Sequence, residues 1–256
     1  MYSARFAKSR QRDTKIANLL YFCAMKNFIE HEEHLDRHLV HKDKDITKMA
    51  TGLRQSGNYP ILFSVCTLIV LIVSFVLTSD RMTWVLEVFP ILLGFPILFS
   101  TYKRFPLTKL IYVLLIIHFI ILSVGGIYTY AKVPLGYWLQ DWFGFSRNNY
   151  DKIGHFAQGF IPAVLVREIL LRTSPLKQGK WLNFIVVSIC LAISAFYELI
   201  EWWVSAIQGA SAEDFLGIQG DSWDAQSDML FAFIGAIVAL IVFSKYHDRL
   251  LKRLKE

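Results

Sequence analysis

The sequence predicts an all-α polytopic membrane protein with six transmembrane helices, and three observations support this fold class. Of 256 residues, 54% are hydrophobic and only 19% are charged, so too little polar surface remains to cover a water-soluble domain. Apolar runs of about 20 residues, the length at which a helix crosses a hydrocarbon core of ~30 Å, recur after residue 58. These runs lack the polar–apolar alternation of a membrane barrel, so helices best satisfy their backbone groups.

The first 48 residues differ in composition from the rest and are predicted to form a polar, partly helical cytoplasmic tail. Four histidines at helical spacing are interpreted as part of a solvated, charged face rather than as metal ligands, because no cysteine joins them. Every apolar segment follows Met49, which leaves residues 49–256 as the transmembrane domain. We therefore expect the tail to be dispensable, or to be an extension upstream of a start at Met49. The four histidines are His31, His34, His38 and His41.

Six apolar segments make up the transmembrane domain. The second contains Pro90 and Pro96, which lack a backbone N–H and predict a kink, and the more polar fourth segment contains Pro162. All seven tryptophans lie near predicted segment ends, as expected of side chains at the membrane–water interface. The segments run approximately Tyr59–Thr78, Met82–Thr101, Leu107–Tyr130, Ile153–Leu171, Trp181–Ser205 and Asp228–Phe243.

The positions of the basic residues predict the orientation of the chain. All but four of the 27 Lys and Arg residues fall in the tail, the second–third and fourth–fifth connections, or the C-terminal end. The positive-inside rule then places both termini in the cytoplasm. This rule also accounts for the net charge of +6, so the expected partner is the lipid bilayer and not nucleic acid. The four exceptions are Arg81, Lys132, Arg147 and Lys152.

Three predicted helices carry acidic side chains near the outer membrane surface. Spacings of three or four residues put these side chains on one face of each helix. Ionisable groups at this depth are costly and are usually functional, and Lys152 is expected to neutralise one carboxylate. The polar residues are Asp151 and His155 in the fourth segment, Glu198 and Glu201 in the fifth, and Asp221, Asp224 and Asp228 at the sixth.

Carboxylates with one imidazole form a ligand set that suits Mg²⁺, Mn²⁺ or Zn²⁺. Such an ion could activate water against a lipid or lipid-linked envelope substrate, with Glu201 or Asp224 as general base. Two other interpretations stay open: a proton or cation transporter, and a cation that only clamps helices together. Of the remaining polar groups, Glu87 is interpreted as interfacial and His118 as a helix–helix hydrogen-bond partner. The predicted metal ligands are Asp151, His155, Glu198, Asp221 and Asp228.

Three motifs carry a resemblance to a known family. Asp151-Lys-Ile-Gly-His155, Glu198-Leu-Ile-Glu201 and Gly220-Asp-Ser-Trp-Asp-Ala-Gln-Ser-Asp228 resemble the YjdF-type bacterial inner-membrane proteins, a family of unknown function. The match runs from Thr51 to the C-terminus. More distantly, the pattern is similar to the VanZ-like proteins linked to glycopeptide resistance, which often carry an arginine near the last motif, where this chain has none. The resemblance implies a multi-pass protein of the bacterial inner membrane and supplies no reaction.

Overall fold

The computed structural model describes residues 58–208 and 221–254, which belong to the compact unit Thr51–Glu256. The predicted tail, residues 1–48, lies outside the described residues. A 3₁₀ turn at Tyr130–Lys132 joins the fourth and fifth helices. The described α-helices are α1 (Tyr59–Leu77), α2 (Arg81–Glu87), α3 (Phe89–Thr101), α4 (Lys109–Tyr128), α5 (Pro134–Phe143), α6 (Tyr150–Thr173), α7 (Lys180–Gln208) and α8 (Asp224–Arg253).

The predicted all-α membrane fold is confirmed. Helices α1, α4, α6, α7 and α8 are each long and apolar enough to cross a membrane. Helices α2 and α3 meet at a bend of 54° and together have the length and apolar composition of a sixth span, either broken or re-entrant. The break falls at Val88, directly before the first turn of α3, where Pro90 has no N–H to continue the α2 hydrogen-bond ladder. The predicted kink in the second segment is therefore a complete break between two helices.

Small residues bring α6 and α8 into the closest and most extensive helix contact of the described chain. A Cβ atom on Gly159 would collide with the backbone of Ala232, and one on Gly235 would collide with the carbonyl oxygen of Phe156. Without side chains at these points, the two backbones approach directly, as small residues permit in membrane helices. This contact fixes the positions of the acidic groups near the N-terminal ends of both helices.

Helix α4 packs against α1, α2 and α6 in an aromatic and aliphatic core. The Phe63 ring of α1 lies 5.6 Å from the rings of both Tyr112 and Phe119. The Trp84 side chain of α2 is also part of this core, and its Nε1 donates to Ser74 Oγ at 3.0 Å. The interfacial position expected for Trp84 is therefore wrong, since its indole nitrogen finds a partner inside the protein.

Helix α5 is a short amphipathic helix between α4 and α6 that was not predicted. At ten residues it covers ~15 Å and cannot cross a membrane. Its aromatic side chains, including Trp138 and Trp142, are exposed, as in helices that lie in the plane of the interface. The Asn148 amide donates to Val133 O at 3.0 Å and accepts from Tyr150 N at 3.1 Å, which fixes the start of α6 against this helix.

A buried ionic network joins α4, α6 and α8 at the end of α6 opposite to the predicted site. The Glu168 carboxylate is fully buried and accepts from Thr108 Oγ1 at 2.7 Å and from Arg172 NH1 at 2.7 Å. His247 Nδ1 lies 3.1 Å from Arg167 NH1 and its Nε2 lies 2.9 Å from Glu168 Oε2. Because a guanidinium only donates, His247 Nδ1 accepts and Nε2 donates. The Glu168 carboxylate is thus fully paired, whereas Arg167 Nε is buried without a hydrogen-bond partner among the described residues, and the network links the three helices.

Candidate functional site

Helices α6, α7 and α8 bring most of the predicted site residues together in two overlapping groups. The aspartate cluster contains Asp151, Asp224 and Asp228, and the histidine cluster contains His155, Glu198 and Asp228. Asp228 belongs to both because it lies one turn into α8, between the start of α6 and the body of α7. The i, i+4 spacing on α6 and α8 that suggested shared faces thus places these side chains side by side.

The aspartate cluster is held by two cations. Lys152 Nζ donates to Asp224 Oδ1 at 2.7 Å and to Asp228 Oδ1 at 2.8 Å, and lies 3.5 Å from Asp151 Oδ2. Arg147 NH2 donates to Asp151 Oδ2 at 2.9 Å and also to Asp224 Oδ1. The single positive charge of Lys152 offsets one carboxylate, as expected, but its ammonium group donates to two. Its flexible stem reaches carboxylates on two helices.

Arg147 is a site residue that the sequence reasoning missed, because it lies in the connection before α6. Burial disfavours its charge, but Asp151 and Asp224 outweigh burial and raise the pKa of Arg147 above its ordinary value. The signal available in the sequence was the i, i+4 spacing from Asp151.

Asp221 lies at the rim of the aspartate cluster and belongs to neither group. Its side chain is 35% exposed, and its Oδ2 lies 4.0 Å from Arg147 NH2. Its Oδ1 accepts from Trp223 N at 2.9 Å, an interaction within the turn before α8. Of the five predicted metal ligands, Asp221 is thus the one that the tertiary structure leaves furthest from the others.

The histidine cluster has the geometry of ligands around a single ion. His155 Nε2 lies 3.7 Å from Glu198 Oε1 and 3.8 Å from Asp228 Oδ2, beyond hydrogen-bond distance. Ligands at 2.0–2.2 Å from a tetrahedral metal ion lie ~3.5 Å apart. Within the described chain, the buried atoms His155 Nδ1 and Glu198 Oε1 have no hydrogen-bond partner. Buried polar atoms without a partner are unusual, and of these two only Glu198 Oε1 faces the other ligand atoms, so the unused ligand capacity of the group lies at Glu198.

Two members of the histidine cluster, His155 and Asp228, line a cavity of about 220 Å³. Glu201 lines the same cavity one turn along α7 from Glu198, and Glu87 lines it from α2. Glu87 is buried, so its interpretation as an interfacial residue is wrong. Its placement depends on the break between α2 and α3, which turns the end of α2 towards α7. His118 also lines the cavity, and its Nε2 lacks the expected hydrogen-bond partner among the described residues.

Two tyrosines, Tyr130 and Tyr197, line the cavity and were not predicted as site residues. The Tyr130 ring lies where Cβ atoms on Gly125 and Gly154 would stand, so both glycines make room for it. The Tyr197 hydroxyl donates to Leu86 O at 3.2 Å and ties α7 to α2. Nothing in their local sequence distinguishes these tyrosines from other interfacial aromatic residues. Only the packing of four helices reveals their position.

Comparisons with known proteins agree with the resemblance carried by the motifs. Residues 59–249 match the family model described as Predicted membrane protein (DUF2238). The inner membrane protein YjdF of Escherichia coli (strain K12) is 49% identical over 185 residues, which cover 72% of this chain and 88% of that protein. No solved structure matches significantly. The matched range contains all the residues of both clusters. The chain therefore belongs to the DUF2238 family of predicted membrane proteins.

Proposed function

We propose that this protein binds a divalent metal ion at His155, Glu198 and Asp228 and hydrolyses or modifies a lipid or lipid-linked envelope substrate. The observation that carries the proposal is the histidine cluster: three side chains from three helices offer ligand atoms within 4.8 Å of one another, and one of these atoms, Glu198 Oε1, is buried without a hydrogen-bond partner among the described residues. One imidazole and two carboxylates favour Zn²⁺ or Mn²⁺ over Mg²⁺, which prefers oxygen ligands and bound water.

The cavity beside this cluster supports a chemical role for the ion. A bound divalent ion supplies a Lewis acid and lowers the pKa of a bound water. Glu201 lines the cavity and is positioned to accept a proton there. Asp224 fits this role less well, because it is paired with both Lys152 and Arg147 and lies outside the cavity lining. We therefore assign the base to Glu201.

The aspartate cluster argues against an ion that serves only as a clamp. Lys152 on α6 and Arg147 in the preceding connection already join α6 to α8 through Asp224 and Asp228. These ion pairs hold the helices together through the protein's own cations. A metal in the neighbouring histidine cluster is then available for chemistry. In this proposal Asp151 and Asp221 position the Arg147 guanidinium.

The site is proposed to face the outside of the bacterial inner membrane. The name of the Escherichia coli relative, inner membrane protein, supports this membrane for the present chain. The distribution of Lys and Arg supports cytoplasmic termini, and three membrane crossings, α6, α7 and α8, then separate the start of α6 from the end of α8. An outward-facing site in a bilayer is within reach of lipid-linked envelope precursors.

The test is the metal content of the full-length protein purified in detergent and measured by inductively coupled plasma mass spectrometry. We expect about one equivalent of Zn²⁺ or Mn²⁺, as for a site with three protein ligands. The double variant His155→Ala, Glu198→Gln should lose it, whereas Asp141→Asn, which changes an exposed carboxylate on α5, should retain it. Stoichiometric metal in a folded double variant would eliminate this site.

A further inference from the structure

We infer that the cavity opens sideways into the bilayer between α3 and α7, and that it receives the headgroup of a membrane lipid bearing hydrogen-bond donors. This inference adds a route and a substrate class to the proposed site. It rests on the proposed function for its role in a reaction. The binding of a lipid in the cavity is measurable without metal or turnover, so the two proposals can fail separately.

The mouth of the cavity is made of side chains that face the surroundings of the membrane domain. Phe89 and Leu93 on α3, and Ile193 and Phe196 on α7, line the cavity and are nevertheless exposed. Both helices belong to membrane spans, so at this level lipid chains contact the exposed side chains. The mouth is apolar, and an acyl chain can enter it without losing its hydrocarbon environment.

The break between α2 and α3 produces this opening. Helix α2 stays close to α7, where Tyr197 donates to Leu86 O. Beyond Val88 the chain turns by 54°, and α3 continues in another direction. Side chains from both α3 and α7 line the cavity, which therefore lies between these two helices. The polar side chains Glu87, Glu201 and Asp228 line the same cavity.

The closed end of the cavity is rich in hydrogen-bond acceptors. Glu87, Glu201 and Asp228 contribute carboxylates, and the residues that line the cavity include no Lys or Arg. Glu87 Oε1 is buried and has no hydrogen-bond partner in the described chain. A buried carboxylate of this kind is stabilised by a donor or a cation. An ammonium headgroup supplies both, and a headgroup without N–H or O–H donors supplies no hydrogen bond.

The volume limits how much of the lipid enters. About 220 Å³ corresponds to the space of ~7 water molecules at ~30 Å³ each. That space accommodates a small headgroup and the first methylene groups but not a whole lipid. The remaining chain then extends through the mouth along the exposed faces of Leu93 and Ile193.

The experiment uses the full-length protein in vesicles that contain phosphatidylethanolamine with a photoactivatable diazirine near its headgroup. After irradiation, labelled positions are assigned to single residues by tandem mass spectrometry. Leu122 lines the cavity and Leu115 does not, although both are buried on α4. We expect label at Leu122 and none at Leu115. Label confined to exposed residues, or equal label at the two leucines, would overturn the inference.

A pair of exposed substitutions tests the route. Leu93→Trp fills the mouth and should reduce the label at Leu122 by at least about fivefold. Ile97→Trp is the matched control, because Ile97 lies one turn further along α3, is 55% exposed compared with 56% for Leu93, and does not line the cavity. Equal labelling in the two variants would exclude entry between α3 and α7.

The headgroup is tested by replacing the probe with phosphatidylcholine carrying the same diazirine. The two lipids share a phosphate and net charge, and only the ethanolamine headgroup has N–H donors. Loss of a charge-assisted hydrogen bond should lower the label at Leu122 roughly tenfold. Equal labelling by both lipids would rule out selection by the acidic end of the cavity.

Discussion

At the residue scale, Lys152 determines whether the N-terminal ends of α6 and α8 can hold so many carboxylates. Its ammonium group contacts Asp224 and Asp228 at 2.7 and 2.8 Å in a buried environment. Isolated buried carboxylates are strongly disfavoured, whereas paired ones are tolerated. Lys152 thus makes the aspartate cluster compatible with folding. It donates to Asp228 Oδ1 and leaves Asp228 Oδ2, which lies towards His155, available to another ligand.

Lys152→Met is therefore expected to destabilise the protein strongly. The substitution keeps the apolar stem but leaves Asp228 without its ammonium partner, and breaking a buried ion pair costs roughly 3–5 kcal/mol. The measurement is the thermal unfolding temperature in detergent. Lys177→Met removes an exposed lysine and should leave that temperature nearly unchanged. Similar temperatures for the two variants would mean that Lys152 does not stabilise the aspartate cluster.

At the element scale, the contact between α6 and α8 and the cap of α2 determine where the site residues lie. Gly159 and Gly235 let α6 and α8 touch backbone to backbone. Asp80 caps α2 by accepting from Met82 N at 2.9 Å and from Thr83 Oγ1 at 2.7 Å. Because α2 is short, this cap supplies much of its local stability and helps to orient Glu87 at its other end.

Two glycine substitutions should change the stability of the protein in different directions. Gly159→Ala forces α6 away from Ala232 and should destabilise the protein by roughly 1–3 kcal/mol. Gly94→Ala on α3 meets no atom within 4 Å and should be neutral or stabilising by up to ~1 kcal/mol through helix propensity. Unfolding temperatures of the two variants in the same detergent check this. A stable Gly159→Ala variant would show that α6 and α8 can separate at little cost.

Asp80→Ala should destabilise the protein by about 1 kcal/mol at neutral pH, since it removes the cap of α2. The hydrogen bond from the Thr83 side chain lowers the pKa of Asp80, against a smaller effect of burial. A lowered folded-state pKa means that the stabilisation is complete above the ordinary pKa of ~3.9 and is lost as pH falls below it. The difference between wild type and Asp80→Ala should therefore shrink below about pH 4. Asp80→Asn, which caps without titrating, should show a smaller pH dependence, and a pH-independent difference for Asp80→Ala would contradict this account.

At the scale of the whole molecule, two ionic clusters lie at opposite ends of the α6–α8 pair. Asp151 and Glu168 are separated by ~25 Å along α6, close to the thickness of a hydrocarbon core of ~30 Å. The Glu168 carboxylate at one end is paired with Thr108, Arg172 and His247. In the histidine cluster at the other end, Glu198 Oε1 has no hydrogen-bond partner within the described residues. Of these two carboxylates, Glu198 is therefore the one with an oxygen available to a donor or a cation.

The side of the membrane on which the histidine cluster lies can be measured by cysteine labelling in intact cells. In a background with the native cysteines replaced by serine, Ser146→Cys in the connection before α6 should react with a membrane-impermeant maleimide. Gln178→Cys between α6 and α7 should react only after the membrane is permeabilised, because the basic residues beside it favour the cytoplasm. Both positions are exposed, so accessibility within the protein does not distinguish them. The reverse pattern would place the site on the cytoplasmic side.

The sequence by itself determined the all-α membrane fold, since apolar runs of span length leave helices as the structures that satisfy the backbone. It also determined which side chains on α6, α7 and α8 share a face, because helical spacing is local. Only the tertiary structure decided which side chains from different parts of the chain contact one another. Arg147 joins the aspartates from a connection, Glu87 reaches the cavity because the chain breaks at Val88, and Asp221 remains at the rim. The physical reason is that distances between helices depend on side-chain volumes at their contacts, such as Gly159 against Ala232, and these distances are not encoded in the period of either helix.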